Sequence, residues 1–143
     1  MPTIHIRPAT ESDQARIKAM VRQENLDPTA LHWSHFLIAE DAGQTIGIGQ
    51  IRPSPNCREL GSLVVLESHR KSGVGALLIE ALVKDEPGPV FLECLAFREP
   101  YYSKFGFRRV PWWETPMPLK LKAGLGGIFG RLFGYQVVTM RWR

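Results

Sequence analysis

Arg70-Lys71-Ser72-Gly73-Val74-Gly75 is the stretch of this chain best suited to hold an anion, because it follows the apolar run Leu63 to Leu66 and opens a strongly amphipathic segment. Glycines allow close backbone approach, successive N–H groups and a helix N-terminus make a cradle for negative charge, and Arg70 and Lys71 add cations. Such a loop suits phosphate. It lacks the terminal Gly-Lys-Ser/Thr of a P-loop and the spacing of Gly-x-Gly-x-x-Gly, which counts against nucleotide hydrolysis and dinucleotide binding. By itself the hexapeptide reads equally well as an ordinary tight turn.

A second group of residues could handle protons. Tyr101-Tyr102-Ser103-Lys104-Phe105-Gly106-Phe107 places two phenols before a Gly-Phe step, Glu59 follows Arg58 eleven residues before Arg70, and Glu93 stands inside the apolar run Val90 to Leu95. The bland reading of each is a packing tyrosine or a solvated strand carboxylate. Cys57 and Cys94 belong to no Cys-x-x-Cys pair and cannot build a disulfide framework, so both read as reduced core thiols. Among His5, His32, His35 and His69 none is joined to a cysteine pair, and no metal site is expected. His69 abuts the glycine loop, where contact with an anion and simple solvent exposure are equally economical.

The elements that must position these groups follow from hydrophobic spacing. Ile4 and Ile6 alternate with polar neighbours as in a strand, and Thr10-Glu11-Ser12-Asp13 opens a helix to about Glu24. Asp27-Pro28 predicts a further short helix through Trp33. Phe36 to Glu40 and Thr45 to Arg52 read as strands joined by a hairpin turn at Asp41 to Gln44, and Arg58 to Leu66 as a third strand. Val74, Leu77, Leu78, Ala81 and Leu82 fall on one helical face, and Glu86-Pro87-Gly88-Pro89 stops that helix before the apolar strand Val90 to Leu95. Arg98 to Lys104 predicts a short helix with Gly106 in a C-cap role, and Phe107 to Val110 and Gln136 to Trp142 are the remaining strands.

With 143 residues, 44% hydrophobic and 22% charged, the chain has the composition of one soluble globular domain spanning residues 1–143. Its longest aliphatic runs are four residues, far below the roughly 18 of a membrane span. No secretory signal pattern opens it, so the cytoplasm is the expected compartment. Residues 1–97 hold 9 Lys/Arg against 12 Asp/Glu, whereas residues 98–143 hold 9 against 2. The acidic first part favours a cationic partner. The basic end lacks any nucleic-acid motif, and no nucleic acid is expected.

In this order and spacing the chain resembles the GNAT superfamily of acyl-CoA-dependent N-acetyltransferases. Arg70 to Gly75 is similar to the family's (Gln/Arg)-x-x-Gly-x-(Gly/Ala) signature, and Tyr101 to Phe107 to its second signature; the likeness runs over about residues 3–110. The resemblance implies an α/β domain with a mixed, curved central sheet and helices on both faces. It implies that acetyl-CoA is the donor, with its pyrophosphate on the amides of Arg70, Lys71, Ser72, Gly73, Val74 and Gly75, and its pantetheine arm along the backbone of Leu63, Val64 and Val65. Tyr102 then occupies the general-acid position, and Glu59 is the better candidate for the base that deprotonates the amine, with Glu93 second. Direct attack of a primary amine on the thioester is the implied reaction; the alternative is a non-catalytic acyl-CoA-binding regulatory domain.

Residues 112–135 match nothing in that resemblance and form a Gly- and aromatic-rich insertion before the last strand. Within it, apolar positions at helical spacing coexist with cations and five glycines over 117–134. Three readings compete there: a hairpin packing on its own domain, a peripheral contact with a membrane surface or a second copy, and a lid over the acceptor. Monomer and homodimer both remain open.

Overall fold

A computed structural model describes residues 3–53, 57–116 and 136–143. The chain divides into two compact units, Met1–Arg52 with Leu60–Asp85, and Pro53–Glu59 with Glu86–Arg143. The first unit contains strand β1 (Ile4–Pro8), helix α1 (Gln14–Gln23), strands β2 (Phe36–Asp41) and β3 (Gln44–Arg52), all but the first residue of β4 (Glu59–Val65), and helix α2 (Val74–Val83). The second contains Glu59, strand β5 (Val90–Leu95), helix α3 (Glu99–Ser103), and strands β6 (Phe107–Arg109) and β7 (Val137–Trp142). Hydrogen-bonded strands follow the order β1-β2-β3-β4-β5-β7-β6, a mixed sheet.

In the first unit the strands are apolar on both sides because each side carries a helix. Phe36 and Ile38 of β2 pack with Ile17, Met20 and Val21 of α1, whereas Leu37 and Ala39 pack with Val74 and Leu78 of α2. A register shift between Ala39 and Glu40 lets β3 serve both helices: Ile48 joins the α1 cluster and Ile46 the α2 cluster. Ala42 and Gly43, with φ of +50° and +77°, make the two-residue turn of the β2–β3 hairpin. Asp13 starts the α1 segment by accepting from the Thr10 backbone N–H at 2.7 Å, and the Arg7 guanidinium grips the same carboxylate at 2.8 and 3.0 Å. That grip holds the Asp13 carboxyl down at about 2.

Two β3 glycines set how closely α2 lies on its sheet. A Cβ on Gly47 would stand 3.0 Å from Leu78 Cδ1 and 3.1 Å from Val74 Cγ1, and one on Gly49 would stand 3.0 Å from Leu82 Cδ1. The helix that follows the anion loop is therefore seated directly on β3 backbone.

In the second unit β5 and β7 pair antiparallel along their whole length, from Val90 opposite Trp142 to Leu95 opposite Val137, and β6 pairs with β7. Glu59 pairs in parallel with Phe91, whose N–H donates to the Arg58 carbonyl at 2.8 Å. Cys57, Phe91 and Val110 form a small core. Gly106, at φ +93°, follows α3 and donates its N–H to the Ser103 carbonyl, close against the Trp142 ring.

The helix expected at Asp27 to Trp33 does not form. Asp27 accepts instead from the Thr29 N–H at 2.9 Å and its hydroxyl at 2.6 Å, Ala30 turns to φ +56°, and only a single 3-10 turn, Trp33–His35, appears. The expectations for residues 117–134 fall outside the described residues. No helix among the described residues is long and apolar enough to cross a membrane.

Candidate active site

The anion loop leaves β4, passes through a 3-10 turn at Glu67–His69 and enters α2 at Val74. Lys71 and Gly73 both lie in the left-handed region, at φ +64° and +88°, so the chain turns sharply twice within three residues. Residues with alternating handedness direct successive N–H groups into a common concavity, and the α2 N-terminus adds its partial positive charge. A Cβ on Gly73 would meet no atom within 4 Å, so the glycine serves backbone conformation there.

Arg70 takes a different place from the one its charge suggests. Its Nε donates to the Val65 carbonyl at 3.0 Å and its Nη2 to Glu24 at 2.7 Å, tying the loop to the end of β4 and to the residue after α1. On the other flank His69 Nε2 pairs with Asp41 Oδ2 at 3.1 Å, its Nδ1 lies 2.8 Å from the Ser68 hydroxyl, and the Ser72 hydroxyl donates to the His69 carbonyl. His69 thus anchors the loop to the β2–β3 hairpin. Lys71 and Ser72 are exposed.

Leading into this loop, β4 carries a backbone irregularity. Ser62 is non-glycine with φ +51°, a conformation that costs an L-residue roughly 1–2 kcal/mol. Its hydroxyl holds it there, accepting 2.9 Å from Gln50 Nε2 and 3.1 Å from an Arg52 nitrogen. Beyond it Val64 packs toward α1, while Leu63 and Val65 lie against the α2 cluster.

Tyr102 lies in the second unit, on α3. Its ring meets Phe107 edge-on, with centroids 6.2 Å apart, and Tyr101 at 5.2 Å. Burial, then the nearby Cys94 thiol and Tyr101, push its hydroxyl up to about 12, against the pull of the Arg98 guanidinium. Burial likewise raises Cys94 to about 11; its sulfur touches Met140 Sδ at 3.9 Å, the surroundings of a packing thiol rather than a nucleophile.

Strand register puts the two carboxylates on one face. Glu59 is opposite Phe91, Glu93 is two residues further along β5, and side chains two apart share a face. Phe107, which meets Tyr102, is opposite Trp142 on the alternate face. The structure therefore brings Glu59 and Glu93 to one side and Tyr102 to the other. The loop residues 70–75 and Leu63, Val64 and Val65 belong to the first unit, Tyr102 and Glu59 to the second.

Sequence spacing does not disclose the Ser62 turn or its Gln50 and Arg52 supports, because a polar alternation reads as a regular strand. Among the described residues no three His, Cys, Asp or Glu side chains gather as a metal-holding group.

The model of the acetyltransferase (GNAT) domain matches residues 32–109, which include the anion loop, Glu59, Glu93 and Tyr102. An uncharacterized N-acetyltransferase of Bacillus subtilis, YjcF, is 32% identical over 79 residues, covering 52% of this chain and 56% of that protein. The matched stretch thus spans little more than half of that relative. Among solved structures, N-acetylglutamate synthase from Neisseria gonorrhoeae, complexed with coenzyme A and N-acetyl-glutamate, superimposes with a TM-score of 0.78 at 20% identity; the match covers 99% of this chain and 35% of that one. Rv2747 of Mycobacterium tuberculosis, in complex with CoA, gives 0.73 at 17% identity and covers 96% and 98%. At these identities the likeness is one of fold.

Proposed function

We propose, for a chain that belongs to the GNAT acetyltransferase family, that it transfers an acetyl group from acetyl-CoA to a primary amine by direct attack on the thioester. The observation that carries this reading is the doubly left-handed Lys71-Ser72-Gly73 turn at the start of α2. Neighbours solved with coenzyme A support the choice of donor.

On this reading the amides of residues 71–75 hold the pyrophosphate, while Arg70, whose N–H donates to the Glu67 carbonyl at 3.3 Å, and His69 keep the loop in shape rather than contacting the ligand. The backbone of Leu63, Val64 and Val65 receives the pantetheine arm. The Ser62 turn sets where those three residues lie, because a left-handed residue redirects the N–H and C=O groups that follow it.

The amine loses its proton to Glu59, directly or through water, with Glu93 beside it on the same face. Attack gives a tetrahedral intermediate, and its collapse expels coenzyme A thiolate. A thiol with an ordinary value of about 8.5 does not readily take a full proton from a phenol held near 12. Tyr102 therefore acts chiefly by donating a hydrogen bond to the developing thiolate, which a buried hydroxyl does well because no water competes. Glu59 and Tyr102 stand on opposite faces of the second unit, which separates the proton acceptor from the hydrogen-bond donor.

A screen of amines and peptides with acetyl-CoA, read by release of free thiol, tests the reading. Thiol release that depends on an amine, and the matching acetylated product, are expected. Coenzyme A binding with no product from any amine would return the chain to a non-catalytic acyl-CoA-binding role.

A further inference from the structure

The second unit presents two arginines directly opposite each other. Arg108 of β6 is the register partner of Arg141 of β7, and Arg141 is in turn opposite Phe91 of β5. Like charges facing each other across a strand pair are unfavourable, and proteins ordinarily place a carboxylate beside them. Neighbouring arginines have such partners: Arg58 pairs with Glu86 at 2.7 Å and Arg109 with Glu99 at 2.5 Å. Arg108 and Arg141 form no ion pair among the described residues. The Arg141 Nε is moreover shielded from solvent and has no hydrogen-bond partner, which leaves a charged donor unsatisfied at a real cost.

The same face holds the two carboxylates. Glu59, Phe91 and Glu93 alternate with residues of the other side, and Phe91 and Glu93 are opposite Arg141 and Thr139 respectively. One side of this unit thus carries acidic groups on β4 and β5 and a cationic pair on β7 and β6. Glu93 is one two-residue step along the strand from the Phe91–Arg141 pair, about 7 Å at an ordinary strand rise. A group with an ammonium at one end and an anion at the other matches that polarity.

We propose that the acceptor is an amine bearing a carboxylate, of the amino-acid class, with the carboxylate held by Arg141 and Arg108 and the amine directed to Glu59 and Glu93. A guanidinium offers paired N–H donors in the geometry a carboxylate accepts, and a bound carboxylate would both satisfy Arg141 Nε and offset the repulsion from Arg108. This assignment rests on the acetyltransferase reading and deepens it. It differs from the expectation of a cationic partner, which followed from net charge over residues 1–97 rather than from the groups on one face.

The test uses L-leucine, L-phenylalanine, L-glutamine and L-glutamate with acetyl-CoA, each compared with its α-carboxamide. At least one acid is expected to exceed its amide about 10-fold or more in kcat/KM. Arg141→Gln and Arg108→Gln should then raise KM for the acid by about 10- to 100-fold, the range for lost charged hydrogen bonds, and penalise the amide less. Arg141→Lys should recover only part of the loss. Amides turned over as well as acids, or arginine variants that affect both alike, would overturn the proposal while leaving the enzyme intact. A second readout is independent of turnover: the same amino acids should raise the melting temperature of the wild type more than that of Arg141→Gln. If no amine is acetylated but that Arg141-dependent stabilisation persists, the carboxylate site stands and the transferase reading falls. If neither acetylation nor stabilisation is seen, the carboxylate site falls.

Discussion

The Gln50 side-chain nitrogen donates a 2.9 Å hydrogen bond to the hydroxyl of Ser62, the one β4 residue whose backbone is left-handed. Both residues are buried, Gln50 completely, so the bond forms where water cannot replace it. A polar contact between β3 and β4 thereby maintains a backbone turn just before the segment assigned to the pantetheine arm.

Removing that hydroxyl should therefore cost stability in two parts. Ser62→Ala keeps the unfavourable backbone and leaves a buried donor unpaired, an expected loss of about 1–3 kcal/mol. Ser62→Gly loses the bond but relieves the backbone, so its melting temperature should fall between the wild type and Ser62→Ala. Thermal unfolding of the three proteins checks this order, and an Ala variant as stable as the wild type would remove the hydroxyl from the account.

Gly47→Val should push α2 away from β3. The added carbons meet Leu78 Cδ1 and Val74 Cγ1 at about 3 Å and the Val64 carbonyl at 3.3 Å, one of which is backbone that cannot give way. Overpacking of this kind costs about 1–3 kcal/mol. Because α2 carries the anion loop at its start, coenzyme A affinity should fall with melting temperature, measured by calorimetry and thermal unfolding. Unchanged affinity would show that the seat of α2 does not govern the loop.

Tyr102→Phe should lower kcat by about 10²- to 10³-fold, the usual effect of losing a positioned donor, with coenzyme A affinity nearly unchanged. The hydroxyl is held near 12, above the ordinary phenol value of 10, so the folded protein favours its protonated form. That contribution to stability is fully present below pH 10 and is lost as pH rises toward 12. The wild-type kcat should accordingly show no alkaline fall centred near pH 10. Such a fall, absent in the Phe variant, would mean that Tyr102 titrates like an exposed phenol.

Asp13 makes the opposite contribution at low pH. Its carboxyl is held at about 2, from 3.8, chiefly by hydrogen bonds from Arg7, so the stabilisation is present above 3.8 and disappears as pH falls through 2. It amounts to about 2 kcal/mol. Asp13→Asn should lose that amount at neutral pH and show a flatter acid limb in a melting-temperature series; equal losses at pH 2 and pH 7 would rule out the ion pair as its source.

Strong periodicity made most of this fold readable in advance. Val74, Leu78 and Leu82 recur on one helical face, and Val90 to Leu95 is bounded by Pro89 and a turn, so α2 and β5 appear where hydrophobic spacing puts them. Asp27-Pro28 misled because an Asp before Pro serves an Asx turn as readily as a helix cap, and only the Arg52 partner at 3.4 Å and the turned Ala30 decide between them. At the site, Gly73 and Gly75 announced the loop, since few other reasons place glycines at a helix start. Arg70 was legible as a residue but not in its contacts, because a guanidinium that reaches Val65 and Glu24 looks the same in sequence as one that reaches a phosphate. The Arg108–Arg141 pairing depends on strand register across 33 residues, which local pattern does not carry.

The donor assignment is tested most directly by titrating coenzyme A calorimetrically into the wild type and into Gly75→Glu. Gly75 is the second residue of α2, where a glutamate suits the helix N-terminus, so the variant should retain the wild-type melting temperature. Its side chain and charge would occupy the place assigned to the pyrophosphate. Measurable binding by the wild type and none by the folded variant is the predicted result. Equal affinity in the two proteins, or no binding by the wild type, would contradict the assignment of the Arg70 to Gly75 loop to coenzyme A.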